Sequence, residues 1–287
     1  MKRFLIIVSL SLFSFPVLSQ TLGESKDVFY EHLPESKPQP YPFVRESDVV
    51  WATHIWKSID VHEMFNQFFY FPTDEARNYG KKSLPYIIWD AMASGEIPIF
   101  EDYELKIPLD NEQFIKQYMR SDTTRLIVSY DEDDNEEYQN IIKQKFFEGS
   151  EIFLYSLFET WFIGKQDARQ DSRRISLAMM EVQTIHLGDD VPDLELGLQP
   201  LFWIPMQDYR VRALFARYHA YVDGANVARQ PSWDWVFVNQ HYSAFITRES
   251  NVANRSIGDY LTGEDAVIES QRIEDRVFNL ESDMWEY

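Results

Sequence analysis

Residues 152–162 read IFLYSLFETWF, and residues 175–187 read ISLAMMEVQTIHL. Both stretches are rich in β-branched and aromatic residues, and this composition favours extended strands over helices. The segment Gly164–Arg173 between them has the polar composition of a connection. We therefore predict that the two stretches form an antiparallel hairpin around Gly164–Arg173.

Two further strands are predicted on either side of this hairpin. Leu126–Tyr130 precedes it, and Leu201–Met206 (LFWIPM) follows it, with Pro205 marking the end of the second strand. Residues 131–137 carry six acidic side chains in seven positions, so this run is predicted to be a solvated loop.

The same acidic run superficially resembles a calcium-binding loop. Asp131, Asp133 and Asn135 match the first, third and fifth positions of an EF-hand loop. Glu136 stands where that loop needs glycine, and Ile142 stands where it needs a bidentate glutamate. The sequence therefore predicts no EF-hand, and it offers no other metal or cofactor site.

Residues 47–120 are predicted to be mostly helical. Trp51, Ile55 and Ile59 recur every four residues from Asp48 onwards, as the apolar face of a helix would. A short helix through Met64 is predicted next, opened by Asp60 and Glu63. A second helix is predicted from Leu84 to Met92, between Ser83 and Gly95. A strand at Ile97–Tyr103 and a helix beginning at Asp110 follow.

Residues 121–287 are predicted to combine the strands with helices. Ser232 is a suitable cap for a helix over Trp233–Tyr242, and Thr262 with Asp265 forms a capping box before a long final helix. Apolar and small residues recur on that helix at heptad-like spacing: Ala266, Ser270, Ile273, Val277, Leu280 and Met284. This stripe packs either on the chain's own sheet or on a neighbouring molecule.

The predicted fold class is therefore α+β. A mostly helical N-terminal part (47–120) precedes a part that contains an antiparallel sheet and ends in a long helix (121–287). The two parts form either separate subdomains or one continuous domain over 47–287.

The N-terminus is predicted to be a secretory signal peptide. Lys2 and Arg3 precede an apolar run from Phe4 to Phe15, and Val17-Leu18-Ser19 provides a cleavage site before Gln20. The alternatives are an N-terminal membrane anchor or a buried strand, although the apolar run is short for a membrane span. A lipid anchor on this chain is not expected, because a lipobox requires a cysteine and the chain has none.

Residues 20–46 are predicted to form a stiff, extended arm that does not pack as a regular element. Four prolines recur in it at short spacing, and each fixes its own φ and disfavours helix in the residue before it. They are Pro34, Pro38, Pro40 and Pro42. The arm is either a disordered leader or a segment that lies along a neighbouring molecule.

Charge and composition limit the possible partners. The formal net charge is −20, and removal of residues 1–19 with their two positive charges would make it −20 − 2 = −22. Such a chain repels phosphate backbones and anionic lipids, so neither nucleic acid nor membrane insertion is expected. A basic protein partner suits this charge, and the absence of cysteine excludes disulfides and thiolate chemistry.

No catalytic motif appears in the sequence. The six histidines show no metal-binding spacing, and there is no nucleophile elbow, phosphate-binding loop or dinucleotide fingerprint. Carboxylate pairs are so frequent in this acidic chain that none of them indicates an acid–base dyad. The sequence thus favours a binding or scaffold protein over an enzyme.

Five segments, in order along the chain, resemble the GldN/PorN family. They are Val49–Asp60 (VVWATHIWKSID), Leu84–Glu96 (LPYIIWDAMASGE), Pro200–Trp203 (PLFW), Tyr242–Tyr260 (YSAFITRESNVANRSIGDY) and Phe278–Tyr287 (FNLESDMWEY). Because they are spread over most of residues 47–287, the resemblance is more specific than a single motif.

The resemblance implies a non-enzymatic subunit of the gliding-motility and type IX secretion machinery of Bacteroidetes. Such a subunit lies in the periplasm, self-associates in a ring, and assembles with an outer-membrane ring lipoprotein of the GldK/PorK type. The ring works with inner-membrane motor complex components. A periplasmic enzyme or ligand-binding protein with an unrecognised acidic site is the alternative, and it requires a cleft where titratable side chains converge.

Contact with these partners is predicted on three segments: the arm, the Trp51/Trp56 element and the C-terminal helix. The residues are Pro38, Pro40, Tyr41, Phe43, Trp51, Trp56, Trp285 and Tyr287. Trp51 and Trp56 belong either to a contact surface or to the core of the subunit.

Overall fold

The computed structural model describes residues 37–72, 82–119, 123–130, 136–142, 146–165, 169–185, 194–222 and 230–285. The predicted signal peptide, the first part of the arm, the core of the acidic loop and Tyr287 lie outside these residues. The strands are β1 (Val49–Asp60), β2 (Ile99–Phe100), β3 (Pro108–Leu109), β4 (Thr123–Tyr130), β5 (Glu136–Ile142), β6 (Leu154–Gly164), β7 (Gln170–Ile185), β8 (Leu194–Pro205) and β9 (Phe245–Glu249). The α-helices are α1 (Gln67–Tyr70), α2 (Leu84–Ala93), α3 (Asn111–Tyr118), α4 (Tyr209–Arg217), α5 (Trp233–Val238) and α6 (Glu264–Trp285).

Seven strands form one antiparallel sheet in the order β3-β2-β8-β7-β6-β1-β9. The predicted hairpin is confirmed: β6 and β7 pair along their length, with Leu157 opposite Leu177. β4 contains the predicted strand Leu126–Tyr130 and forms a separate two-stranded hairpin with β5, which was not predicted and begins at Glu136, inside the run predicted to be a loop. The sheet takes β1, β2 and β3 from before residue 120 and its other strands from after it.

The prediction of a helix from Asp48 through Ile59 is wrong, because these residues form β1. A spacing of four residues satisfies both periods, since it is close to one helical turn and is also two strand repeats. Lys57 lies on the same face as Ile55 and Ile59 and is buried there, so a charged residue interrupts the alternation that would have indicated a strand. The short helix through Met64 is confirmed as a 3₁₀ turn, Met64–Asn66, that continues into α1. Its predicted opening by Asp60 and Glu63 is wrong, because Asp60 ends β1 and Glu63 precedes the turn without a side-chain capping hydrogen bond.

The remaining predicted helices are confirmed. Ser83 precedes α2, and Gly95 follows it with a φ of +73°, a left-handed conformation that favours glycine. Asp110 accepts a hydrogen bond from the Glu112 amide at the start of α3, and Ser232 accepts one from the Trp235 amide at the start of α5. With the sheet and the long final helix, the α+β class and its C-terminal helix are confirmed.

Two buried clusters share one face of the sheet, which we call the inner face. The major cluster lies under α1, α2, α4 and α5 and includes Ile59, Tyr155 and Leu157 of the central strands. The minor cluster lies under α6 and consists of Ile55, Trp161, Ile246, Ile257, Ile273 and Val277. The stripe predicted on the last helix thus packs on the chain's own sheet through Ser270, Ile273 and Val277.

The opposite, outer face carries a smaller apolar group. Phe158, Ala178 and Trp203 are buried there, with Trp56 and Tyr103 packed against them. Because successive side chains of a strand point to opposite faces, Trp56 and Phe158 face outwards while their neighbours Ile55 and Leu157 face the inner clusters.

Candidate interaction surfaces

A buried ionic network separates the two inner clusters. Glu159 of β6 is 0% exposed and lies between Lys57 of β1, with Nζ at 3.8 Å, and Arg174 of β7, with Nε at 3.5 Å. The Trp161 indole donates a hydrogen bond of 2.8 Å to Oε2 of Glu159, and the Tyr242 hydroxyl donates one of 3.3 Å to Oε1. Strand register creates this site, because Glu159 is opposite Ile55 on one side and Arg174 on the other.

The electrostatics of the network raise the pKa values of Tyr242 and Arg174, so both side chains keep their protons. Burial, followed by the charge of Glu159, raises the pKa of Tyr242 well above its ordinary value, so the hydroxyl remains a donor. Burial alone would lower the pKa of Arg174, but the charge of Glu159 and the contacts with Tyr242 and Tyr41 outweigh burial and raise that pKa. A carboxylate held between two cations and two donors is suited to holding strands in register, not to exchanging protons with a substrate.

The described part of the arm is extended, but it packs on the chain's own surface. The Gln39 amide donates a hydrogen bond of 2.7 Å to Oδ2 of Asp234, and the guanidinium of Arg212 donates to the Gln39 carbonyl. Arg212 and Asp234 are themselves paired at 3.0 Å, and Asn239 donates to the Gln39 side chain at 3.2 Å. These groups give the arm's backbone polar partners that a strand ladder would otherwise supply.

Tyr41 fixes the next part of the arm. Its ring lies between two guanidinium groups, 4.5 Å from that of Arg173 and 4.4 Å from that of Arg212. Arg173 also donates a hydrogen bond of 2.8 Å to the Pro42 carbonyl. Residues 37–45 form no helix or strand, as predicted for the arm. Residues 39–42 nevertheless do not project freely, because three charged side chains of the body bind them.

The predicted contact residues fall into separate places. Pro38 and Tyr41 are half-buried against the body, whereas Pro40 is exposed and Phe43 is 87% exposed. Trp51 packs against the minor cluster under α6, so the structure brings two of the predicted segments together there. Trp285 is the last residue of α6, and Tyr287 lies outside the described residues.

Trp56 is covered by its own chain on the outer face. Its ring lies 4.8 Å from that of Phe158 and 5.5 Å from that of Tyr103, between ring centroids. The guanidinium of Arg248 stacks on it at 3.5 Å. Trp56 is thus a packing residue of the outer face that remains half-exposed at its rim.

An exposed aromatic patch lies beside the arm and was not predicted. Met64 is 86% exposed and Phe65 50% exposed, and the Phe65 ring contacts that of His241 at 5.1 Å. His241 in turn contacts the half-exposed Trp235 at 5.6 Å, at the start of the segment that binds Gln39. The sequence shows this patch only as the apolar run MFNQFFYF. Met64 and Phe65 stand four residues before the buried Phe68 and Phe69, a spacing that would place them on one helix face, so the run does not reveal which of its residues are exposed.

A groove of about 620 Å³ lies between α6 and the N-terminal half of β1. Trp51, Val277 and Leu280 supply its apolar lining, and Asp275 and Asp283 lie on its helical wall. Arg276 pairs with Glu249 across the groove, and Arg272 pairs with Glu269 at 2.7 Å. The groove thus combines an apolar lining with a net acidic wall.

The four histidines that the structure describes, His54, His62, His219 and His241, give no indication of a metal centre. Within the described ranges, no three histidine or acidic side chains converge as metal ligands, and the calcium-like positions 131, 133 and 135 lie outside those ranges. His54 contacts Thr160 and His62 contacts Asp60, each through one ring nitrogen. None of the helices described is long and apolar enough to cross a bilayer.

Comparison with known proteins gives one match that covers most of the chain. A family model described as gliding motility associated protein GldN matches residues 44–286. No curated protein matches the sequence. The matched region begins just after the docked part of the arm and includes the ionic network, the aromatic patch and the groove.

Proposed function

The chain belongs to the GldN family of gliding-motility-associated proteins, and we propose that it is a structural subunit of the periplasmic ring of the type IX secretion system. In this role it assembles with an outer-membrane ring lipoprotein of the GldK/PorK type and with further copies of itself, next to inner-membrane motor complex components. It supports protein secretion and gliding from the periplasm, held at the outer membrane through the lipoprotein.

The observation that carries this proposal is the exposed aromatic patch. Met64, Phe65 and Trp235 together offer side chains with a large apolar area and few rotatable bonds, the kind that dominates protein–protein contacts. Isolated exposed apolar residues are ordinary, whereas a contiguous group beside an ordered arm favours a contact surface. The arm extends this surface, because Phe43 is exposed immediately after the segment that binds the body.

A non-enzymatic role fits the distribution of charged groups. Glu159 and Arg174, the most deeply buried charged side chains among the described residues, belong to a closed network that joins three strands. In the groove beside α6, the arginines pair with carboxylates of the same chain. Neither arrangement supplies a titratable group poised beside a bound substrate, so we propose assembly and not catalysis.

Co-purification with the lipoprotein tests the proposal. We expect the chain and an untagged GldK/PorK-type lipoprotein to elute together as a particle much larger than a heterodimer, measured by light scattering. The double substitution Met64→Ser with Phe65→Ser is expected to reduce this particle at least tenfold in abundance. Both residues are exposed, so the thermal stability of the subunit should be unchanged.

The matched control is Val252→Ser, which removes a fully exposed apolar side chain outside the patch. It should leave the large particle intact. A chain that stays monomeric with the lipoprotein present would contradict the assembly role. Normal assembly by the double variant would show that the aromatic patch is not the contact surface.

A further inference from the structure

The first strand of the sheet has an edge that its neighbour covers only in part. β1 is twelve residues long and pairs with β6 from Val49 to Asp60. On its other side, β9 pairs only with Ile55, Trp56, Lys57 and Ser58. Within the described ranges, no strand lies beside the remaining residues 49–53, an edge of about 17 Å at 3.3 Å per residue.

The orientation of the backbone shows which groups face this edge. The His54 carbonyl accepts a hydrogen bond of 2.9 Å from the Ser250 amide, so the polar groups of His54 point towards the β9 side. Both polar groups of a residue in an antiparallel strand point to the same side, and the side alternates along the chain. The amide and carbonyl of Ala52 therefore also face the uncovered edge, as a template for another strand.

The groove beside α6 provides space for the side chains of such a strand. It lies next to the uncovered half of β1 and is lined by Trp51 from that strand and by Val277 and Leu280 from the helix. A strand paired with Ala52 would direct every second side chain into this groove. The geometry thus combines main-chain hydrogen bonds with a lined slot, the two components of strand addition.

The net negative charge of α6 indicates that a basic strand would bind in the groove. Residues 264–285 carry seven acidic and two basic side chains, a net charge of 2 − 7 = −5. Both arginines are paired with carboxylates, whereas Asp275 and Asp283 are exposed on the wall of the groove. A lysine or arginine in the slot could pack its aliphatic stem on Trp51 and place its charge beside these carboxylates.

We propose that the uncovered edge of β1 at residues 49–53 and the groove under α6 bind an extended, basic segment of a partner protein, which adds as a strand next to β1. The proposal concerns a different surface from the aromatic patch and does not depend on the ring assembly. The partner's main chain supplies affinity through Ala52, and its basic side chains supply specificity through Asp275 and Asp283.

Amide hydrogen exchange of the full chain tests this proposal directly. The probe is a blocked nonapeptide that alternates lysine and threonine, added at increasing concentration. We expect the Ala52 and His54 amides to exchange rapidly in the free chain and at least tenfold more slowly with the peptide. An acidic peptide that alternates glutamate and threonine should have no such effect.

A third peptide, alternating lysine and proline, separates strand addition from simple charge attraction. It has the same charge but lacks half of the main-chain donors, so it should bind at least tenfold more weakly. Equal binding by this peptide would overturn the proposal. Slow exchange of Ala52 in the free chain would also overturn it, because a segment of the chain itself would then occupy the edge.

Two pairs of variants complete the test. Ala52→Pro removes the outward-facing amide and should weaken lysine–threonine peptide binding about tenfold, whereas Ala52→Val keeps the amide and should bind normally. Asp275→Lys with Asp283→Lys should abolish binding without affecting folding, because both side chains are exposed. The control Glu112→Lys changes charge on α3, away from the groove, and should leave binding unchanged.

Discussion

The major and minor clusters cover the same face of one sheet, but they are built from different amounts of structure. Four helices close over the major cluster, where Phe69 alone contacts the rings of Phe68, Tyr155, Trp233, Phe237 and Tyr242. The minor cluster has one long helix above it and a groove along its side. Residues of the major cluster are surrounded by protein, whereas those of the minor cluster lie beside an open groove.

We infer from this difference that the major cluster provides most of the stability and that the end under α6 is available for binding. Burial of a large, continuous aromatic core provides most of the free energy that keeps the sheet folded. The minor-cluster end is covered by one helix and contributes less to the free energy of folding. Its strand edge and groove stay accessible to a ligand, and regions of this kind are where local opening and ligand binding are usually found. The ionic network of Glu159 lies at the boundary and links the two ends.

The largest expected effect comes from removing that link. Glu159→Ala leaves Lys57 and Arg174 buried without their carboxylate, so we expect a loss of about 3–5 kcal/mol in the free energy of unfolding. Urea denaturation monitored by tryptophan fluorescence measures it. Glu112→Ala is the control, because its pair with Lys116 is exposed and should contribute about 0.5 kcal/mol or less.

A cost below about 1 kcal/mol for Glu159→Ala would show that the network contributes little net free energy. The two ends would then be independent units. In that case, hydrogen exchange should show α6 opening without any change in the major cluster.

A matched pair of isoleucines compares the two ends directly. Ile88 on α2 and Ile273 on α6 are both buried, in the major and the minor cluster respectively. Substitution by alanine should cost about 3–4 kcal/mol at Ile88 but only about 2 kcal/mol at Ile273, because the open groove lets neighbouring side chains relax into the cavity. Equal losses in chemical denaturation would mean that the minor cluster is as tightly enclosed as the major one.

The elements recovered from sequence are those whose pattern has a single interpretation. The β6–β7 hairpin follows from β-branched and aromatic runs, and α3 and α5 follow from the caps Asp110 and Ser232. α2 follows from its position between Ser83 and Gly95, although the Ser83 side chain makes no capping hydrogen bond. β1 was missed because its apolar residues recur every four positions and a buried lysine interrupts them. Lys57 is tolerated there only because Glu159 of the neighbouring strand β6 pairs with it at 3.8 Å, and this partner is over one hundred residues away in sequence.

The candidate surfaces were recovered less well, for the same reason. Trp51 and the final helix were identified separately, but only the fold places them on one groove. Arm docking depends on Arg212 and Asp234 from two different helices, so no local pattern reveals it. α4 and β9 were not predicted, and β9 decides which part of β1 remains uncovered.

A smaller effect is expected from the arm, which binds at the major-cluster end. Tyr41→Ala removes the ring between Arg173 and Arg212, so we expect a loss of about 1–2 kcal/mol from the two cation–π contacts. Phe43→Ala, in the same segment, removes an exposed ring and should change stability by less than about 0.5 kcal/mol. Limited trypsin digestion after Arg45, three residues beyond the docked segment, should be faster in the first variant only, and equal cleavage of both would mean that the arm is not held through Tyr41.

The smallest effect is a pH dependence confined to the major-cluster end. His219 pairs with Ser232 in a short bridge that joins the segments after α4 and before α5. Burial lowers the pKa of His219, so the folded chain prefers the neutral imidazole, whereas the unfolded chain binds a proton at about pH 6.5. Because the unfolded state then binds more protons, stability is complete above about pH 6.5 and falls as the pH decreases towards the lowered pKa.

Urea midpoints between pH 8 and 5 should show this loss of stability in the wild type and a smaller loss in His219→Gln. The control His62→Gln changes an exposed histidine and should lose as much stability at low pH as the wild type does. The same titration followed by hydrogen exchange should leave the local opening of α6 unchanged; an equal response of α6 would mean that the two ends unfold as one unit.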